Sequence, residues 1–274
     1  MSKKYFFLAG LPRSGNTLLS SILNQNPDIS VSANSFVSEI FYHGIALTFD
    51  EVFQNFPDYS SMENFMRSVF DSYYKDWDAK YIIDRGPWGT ENNLTVLQNL
   101  FDDDDIKIIC TVRDINEILA SFIRTNPSWI DKTLEQEIKS GQRLTNHHKS
   151  DIETKCEILM RPSGQLDKNL CSLSNLLQPE NRNYLHIIEY NDLIEDPEAV
   201  VDELYEFLEI PYYYHHFSGL KKFEVNNMTY NDDIYNCDLH GVRPKIEKSN
   251  YKVDEILPEN VIRKYSNMEF WRGN

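Results

Sequence analysis

The sequence predicts an α/β fold in three layers, a central parallel sheet flanked by helices. Three observations predict it. Four short apolar runs, Tyr5–Ala9, Lys80–Ile83, Ile106–Val112 and Tyr184–Glu189, show no polar alternation, so they read as strands buried on both faces. Segments with helical periodicity lie between or after these runs, which is the order of a parallel sheet with crossover helices. A glycine-bearing loop joins the first run to the first helix. The 274 residues suit a single domain over 1–274 with room for a sizeable core.

Each element has its own reason. The first strand, opening after Met-Ser-Lys-Lys, is too short to span a bilayer and carries no cleavage region, so a cytoplasmic protein with no membrane partner is expected. Thr17–Asn26 places Leu18, Leu19, Ile22 and Leu23 on one helical side. The second strand runs into Asp84-Arg85-Gly86-Pro87-Trp88. Asp102–Asp105 reads as a solvated loop, because adjacent carboxylates do not converge on a metal without a turn built for it. The third strand ends in Arg113-Asp114, and Ile115–Arg124 follows as a helix with Ile115, Ile118, Leu119 and Phe122 inward. The polar stretch 126–178, broken at Pro162-Ser163-Gly164, reads as a helical insertion that shapes a substrate site. After the fourth strand, Pro197–Leu208 is a helix with Pro197 at its first position and Asp196 as its cap. Tyr212–His216 reads as a packed corner rather than a metal site.

Composition excludes some functions. Lys and Arg number 27 against 43 Asp and Glu, a formal charge of −16. A chain so acidic is a poor non-specific binder of nucleic acid, although a local basic pocket can still hold an anion. The four cysteines lie far apart without metal-ligand spacing and read as reduced structural thiols; no metal is expected.

The strongest motif is Gly10-Leu11-Pro12-Arg13-Ser14-Gly15-Asn16-Thr17, between the first strand and first helix. Its glycines and Thr17 have Walker A spacing. Glycines let backbone fold around an anion, and free N–H groups at the helix start point at it. Asn16 stands where a nucleotide triphosphatase carries its lysine, and the cation sits inside the loop as Arg13. That shift disfavours γ-phosphoryl transfer and suits a less charged transferring group. An ATP-using, kinase-like enzyme stays open as an alternative.

Pro12-Arg13-Ser14-Gly15-Asn16-Thr17 resembles the PRSGTT loop of sulfotransferases, above all the tyrosylprotein sulfotransferases and their microbial relatives. The resemblance implies a P-loop-like fold and the sulfuryl donor PAPS (3′-phosphoadenosine 5′-phosphosulfate), with Pro12, Arg13, Ser14, Gly15, Asn16 and Thr17 at the 5′-phosphosulfate. It implies Arg113, at a strand end, and Ser121, eight residues later on the next helix, at the donor's 3′-phosphate. A guanidinium fork suits phosphate oxygens, and two helical turns keep the serine on the same helix face; Arg124 can add charge. Arg243-Pro244-Lys245-Ile246-Glu247-Lys248-Ser249 resembles the SKIERS segment, which implies Lys245 and Lys248 near the adenosine and 3′-phosphate. Tyr190–Pro197 resembles a YEDLxxDP signature and reads as structural.

The expected base is missing. The position of the tyrosylprotein enzymes' glutamate falls on Asn34, and that of the cytosolic enzymes' histidine on Pro87. Glu39, His43 and Asp84 are the remaining candidates, and Arg85 matches the family lysine as a stabiliser of developing charge. Trp88 can stack on a base or an acceptor ring or pack in the core. The acceptor, a hydroxyl or amine of a small molecule, sugar or peptide, is not legible; clustered aromatics in Phe36–Tyr74 allow an aromatic or a sugar. Tyrosylprotein sulfation is disfavoured by the charge and the lack of an anchor. A catalytically silent protein that binds PAPS or its product PAP is the other alternative.

Overall fold

Tyr5 and Phe7 point to one side of the first strand, Phe6 and Leu8 to the other, and all four are buried. That is what a strand needs at the centre of a sheet covered on both faces. The computed structural model describes residues 3–140, 151–162, 164–248 and 250–273. It holds β1 (Lys4–Leu8), α1 (Asn16–Leu23), β2 (Ile29–Val31), α2 (Val37–Leu47), α3 (Glu51–Asn55), α4 (Tyr59–Tyr73), β3 (Tyr81–Arg85), α5 (Glu91–Leu100) and β4 (Ile108–Val112). The chain continues with α6 (Ile115–Thr125), α7 (Ser128–Lys139), α8 (Asp151–Met160), α9 (Asp167–Leu176), β5 (Leu185–Glu189), α10 (Tyr190–Glu195), α11 (Pro197–Leu208), a short hairpin of β6 (Glu224–Val225) and β7 (Met228–Thr229), and α12 (Glu259–Tyr265).

The sheet is parallel, in the order β2-β3-β1-β4-β5. Its two faces seed two cores. Phe7, Ile82, Ile108 and Cys110 join Phe41, Phe70 and Trp88 on one side. Phe6, Leu8, Ile83 and Ile109 meet Leu19, Leu23, Leu204 and Leu208 on the other. The sheet with helices on both faces is the three-layer α/β fold that the apolar runs predict.

The expected strands are found with small shifts of boundary, and β2 is an added edge strand of three residues. Tyr184 closes a 3₁₀ turn and β5 starts at Leu185. α11 spans Pro197–Leu208 as expected, and Asp196 Oδ1 accepts from the Ala199 N–H at 3.1 Å. Asp103–Asp105 form one exposed 3₁₀ turn whose end pairs with Lys4. Within 126–178 lie α7, α8 and α9; Ser163 and 141–150 are outside the described residues. Among the described residues no helix is long and apolar enough to cross a membrane.

β1 has β4 on one side and β3, then β2, on the other; the chain leaves β1 toward β2 and leaves β4 toward β5, in opposite directions across the sheet. The strand order therefore reverses between β1 and β4, and the loops leaving these two strands part there. Ligand crevices of open α/β sheets form at this reversal, beyond the carboxyl ends of the strands.

Candidate active site

A cleft of about 550 Å³ opens at that point. Its floor is the loop between β1 and α1. Leu11 N–H donates to the Thr111 carbonyl at 2.8 Å, so the loop's start is stitched to β4. A Cβ at Gly10 would lie 2.2 Å from Thr111 Oγ1, so only glycine lets the loop approach so closely. Gly15 has φ +94°, which turns the chain into α1, and the helix start has no side-chain cap. Its first N–H groups are left for a ligand.

Ser14 and Asn16 face inward. Ser14 Oγ donates to the Leu11 carbonyl and lies 2.6 Å from Thr111 Oγ1. Asn16 Nδ2 donates to Leu11 O at 2.6 Å, and Asn16 Oδ1 accepts from the Thr111 hydroxyl at 2.9 Å. The asparagine at the Walker lysine position is therefore a clamp on the loop. The Ser14 side chain is wholly buried, leaving its backbone as the group a ligand could meet.

Arg13 has φ +62°, a left-handed conformation that costs an L residue about 1–2 kcal/mol. That turn sends its side chain over the cleft, where Nε donates to Ser121 Oγ at 3.0 Å and Nη1 donates to the Leu239 carbonyl. The Arg13 carbonyl accepts from Arg113 Nη1 at 3.2 Å. Arg113 is almost fully buried, its Nε on Glu117 at 2.8 Å and its guanidinium 4.1 Å above the Tyr190 ring. Burial lowers the Arg13 pKa, and Arg113 beside it pushes the same way. Arg13 thus meets both Arg113 and Ser121, from which the chain separates it by 100 and 108 residues. Tyr190, read from sequence as structural, both supports Arg113 and borders the cleft.

Pro12, Thr17 and Arg85 also line the cleft, as does Lys245. Lys248 is exposed and outside the lining; Ser249 is outside the described residues. Arg124 lies over Tyr251 rather than in the cleft. Sequence reasoning placed Arg243, a lining cation, in the SKIERS-like segment without a role, and overlooked the neighbours Leu239, His240 and Gly241.

The three carboxyl and imidazole candidates for a base are not gathered here. Glu39 pairs with Lys168 at 2.7 Å, His43 is exposed beside Tyr42, and neither lines the cleft. Asp84 is fully buried, accepting from the Tyr74 hydroxyl and from Trp88 Nε1 at 2.8 Å. Burial pushes its pKa up to about 6. Trp88 is a core residue packed on Phe7 and Phe70, because its N–H finds that buried carboxyl. The aromatics of Phe36–Tyr74 divide between core (Phe41, Phe70, Tyr74) and open surface (Phe36, Phe49, Phe56), and none lines the cleft.

Asn34 does border the cleft, and so do Arg85 and His240. Arg85 Nη1 donates to the Tyr230 hydroxyl at 2.7 Å, and that hydroxyl donates to the Ala33 carbonyl at 3.2 Å. The Tyr230 ring lies flat on the His240 imidazole, centroids 3.7 Å apart at 2°. Asp232 takes both the His240 backbone N–H, at 2.7 Å, and its Nδ1, at 2.6 Å. Burial lowers the His240 pKa, Arg85 and Arg13 push the same way, and Asp232 opposes them.

The molecule is an α/β protein, an open parallel sheet with a cation-lined cleft at its strand-order reversal. The sulfotransferase domain family matches residues 3–254, and the chain belongs to that family. Solved structures that resemble it include the sulfotransferase domain from the curacin biosynthetic pathway, at 20% identity and TM-score 0.49, covering 78% of this chain and 76% of that one. The sulfotransferase domain of the Synechococcus PCC 7002 olefin synthase is similar at 16% identity and TM-score 0.47, covering 77% and 76%. A sulfotransferase from Alicyclobacillus acidocaldarius follows at 13% and 0.45, covering 77% and 83%. No curated protein matches the sequence.

Proposed function

We propose that this sulfotransferase-family chain takes PAPS as its donor and transfers the sulfuryl group, without a metal, to a hydroxyl or amine acceptor. The observation that carries the reading is the convergence of Arg13, Arg113 and Ser121 beside the uncapped start of α1. Arg13 is held by neutral partners, Ser121 Oγ and the Leu239 carbonyl, with Arg113 beside it, so an anion in the cleft would offset both its burial and that repulsion. The residues fit a nucleotide with phosphate groups at two ends. The backbone of Ser14–Thr17 and Arg13 hold the 5′ end, and Arg113, Ser121, Lys245 and Arg243 hold the 3′-phosphate. Arg85 offsets charge on the oxygen that leaves with the phosphate. Trp129 on α7 and Gln165 just before α9 reach the cleft, consistent with one domain in which the helices of 126–178 shape a substrate site.

A donor-binding protein without activity is the second reading, kept by Asn34 at the cleft where the resemblance puts a glutamate. Binding and turnover separate the two. Calorimetry with PAP and with adenosine 5′-phosphosulfate, which lacks the 3′-phosphate, tests the donor site. Arg113→Ala is expected to weaken PAP about tenfold or more, the loss of a charged hydrogen bond of roughly 1.5–3 kcal/mol, and to change the second ligand little. Equal losses for both remove Arg113 from the 3′-phosphate.

A further inference from the structure

We propose that His240, oriented by Asp232, is the general base that takes the proton from the acceptor, an inference that rests on the sulfuryl-transfer reading above. The wall of the cleft beside α2 offers Asn34, which cannot hold a proton at neutral pH, while Glu39 is paired elsewhere and Asp84 is sealed in the core. The segment after β7, whose Tyr230 hydroxyl reaches the Ala33 carbonyl, carries the dyad.

The arrangement fixes the imidazole in every respect a base requires. A carboxylate only accepts hydrogen bonds, so Asp232 Oδ1 holds the Nδ1–H tautomer of the neutral ring and leaves the lone pair on Nε2. Nε2 has no hydrogen-bond partner among the described residues. The flat stack on Tyr230 sets the plane of the ring. Tyr230 in turn is tied to Arg85, and the residue before His240 gives its carbonyl to Arg13. The imidazole is thereby hung between the two cations assigned to the reacting end of the donor. The backbone bond from His240 N–H to Asp232 Oδ2 already closes this turn, so the second bond, to the ring, is more than the turn's geometry needs.

The charged groups around the ring are Asp232 from its own turn, Arg85 from the end of β3 and Arg13 from the β1–α1 loop. The two arginines and burial outweigh the carboxylate, so the ring is neutral and able to accept a proton at pH 7. In the step, His240 Nε2 takes the proton of the acceptor O–H as that oxygen bonds to sulfur. The bond from sulfur to the phosphate oxygen breaks, and its electron pair leaves on PAP. The imidazolium then stands beside Asp232 until its proton passes to water. Asp232 is a positioning residue, acting through the ring.

The test uses the whole chain, with PAP for binding and PAPS for turnover. Acceptor probes are water, ethanol, phenol and 4-nitrophenol, and the PAP released is followed from pH 5.5 to 9. For His240→Gln, PAP affinity is expected within about threefold of the parent chain, with transfer to phenol or ethanol down about 10²–10⁴-fold. Transfer to 4-nitrophenol, already ionised at neutral pH, falls much less. The acidic limb of the pH–rate profile disappears in His240→Gln and moves to lower pH in Asp232→Asn, which removes the carboxylate that raises the imidazole's proton affinity. In His240→Ala, added imidazole restores part of the rate. Three results overturn the proposal: His240→Gln keeping more than a tenth of the phenol rate, His240→Gln losing PAP binding, or a parent chain that binds PAP yet turns PAPS over with no probe, water included. Failure of the parent chain to bind PAP removes the donor reading itself.

Discussion

Asp84 carries a burial cost that pH can reveal. Its carboxyl is wholly enclosed, and its pKa is pushed up to about 6 by that burial, against the hydrogen bonds from Tyr74 and Trp88. The folded chain therefore holds this proton more tightly than the unfolded chain, whose carboxyl titrates near 4. The sign follows: Asp84 favours folding below about pH 4, and that contribution is lost as pH rises to about 6. Asp84→Asn does not titrate, so its stability relative to the parent chain is expected to improve between pH 4 and pH 7, by up to about 3 kcal/mol. Urea unfolding at the two pH values measures the difference. A gap that stays constant with pH would contradict the assignment. At this same scale the cations of the site were legible and the base was not. Arg13, Arg113 and Ser121 have fixed spacing from strand ends, which the chain order alone exposes. Asp232 opens a single 3₁₀ turn and His240 lies in a loop, with no period and no motif, so nothing in the sequence joins them before the segment folds back on Arg85.

Elements were legible wherever apolar residues run unbroken. β1, β3, β4 and β5 each bury both faces, and α11 announces itself by Asp196 and Pro197. β2 escaped notice because it is three residues long and pairs along one edge only. α2 to α4 mix buried with exposed aromatics, so their composition pointed to a ligand while their packing serves the core and the surface. The junction of the β1–α1 loop with α1 gives the prediction at this scale. An added Cβ at Gly15 would have both a positive φ and a contact of 3.0 Å with the Tyr190 ring, on which Arg113 rests. Gly15→Ala is expected to cost roughly 1–2 kcal/mol, a fall in Tm of about 2–8 °C. PAP binding weakens with it, as the ring and Arg113 shift. An unchanged Tm would show that α1 can begin without the left-handed turn.

Across the whole molecule the cleft has two sources. The sheet contributes the ends of β1, β3 and β4, and the segment from Tyr230 to Lys245 contributes the other wall. Among the described residues that wall is tied by Arg13 to Leu239, Arg85 to Tyr230, Tyr230 to the Ala33 carbonyl, the Leu220 N–H to the Pro244 carbonyl, and the antiparallel bridge between Ser218 and Lys245. A ligand gripping both sides adds its own bonds to these, so the amides in 230–245 are expected to exchange faster than those of α11 in the free chain and to slow at least tenfold with PAP. Equal rates in the two segments of the free chain would show that the wall is held as firmly without the ligand.

The division of the cleft also has a consequence in time. Arg13 and Leu239 are 226 residues apart, and a ribosome adds about 5–20 residues per second. Roughly ten to forty-five seconds separate the emergence of the two walls. During that interval the β1–α1 loop and its arginine exist without a ceiling, and the nascent chain cannot enclose a nucleotide. A shortened product ending between about residues 210 and 230 keeps the five sheet strands and loses the second wall of the cleft. Synthesis thereby delays competence until the segment 230–245 has emerged, when the sheet is already in place to receive it.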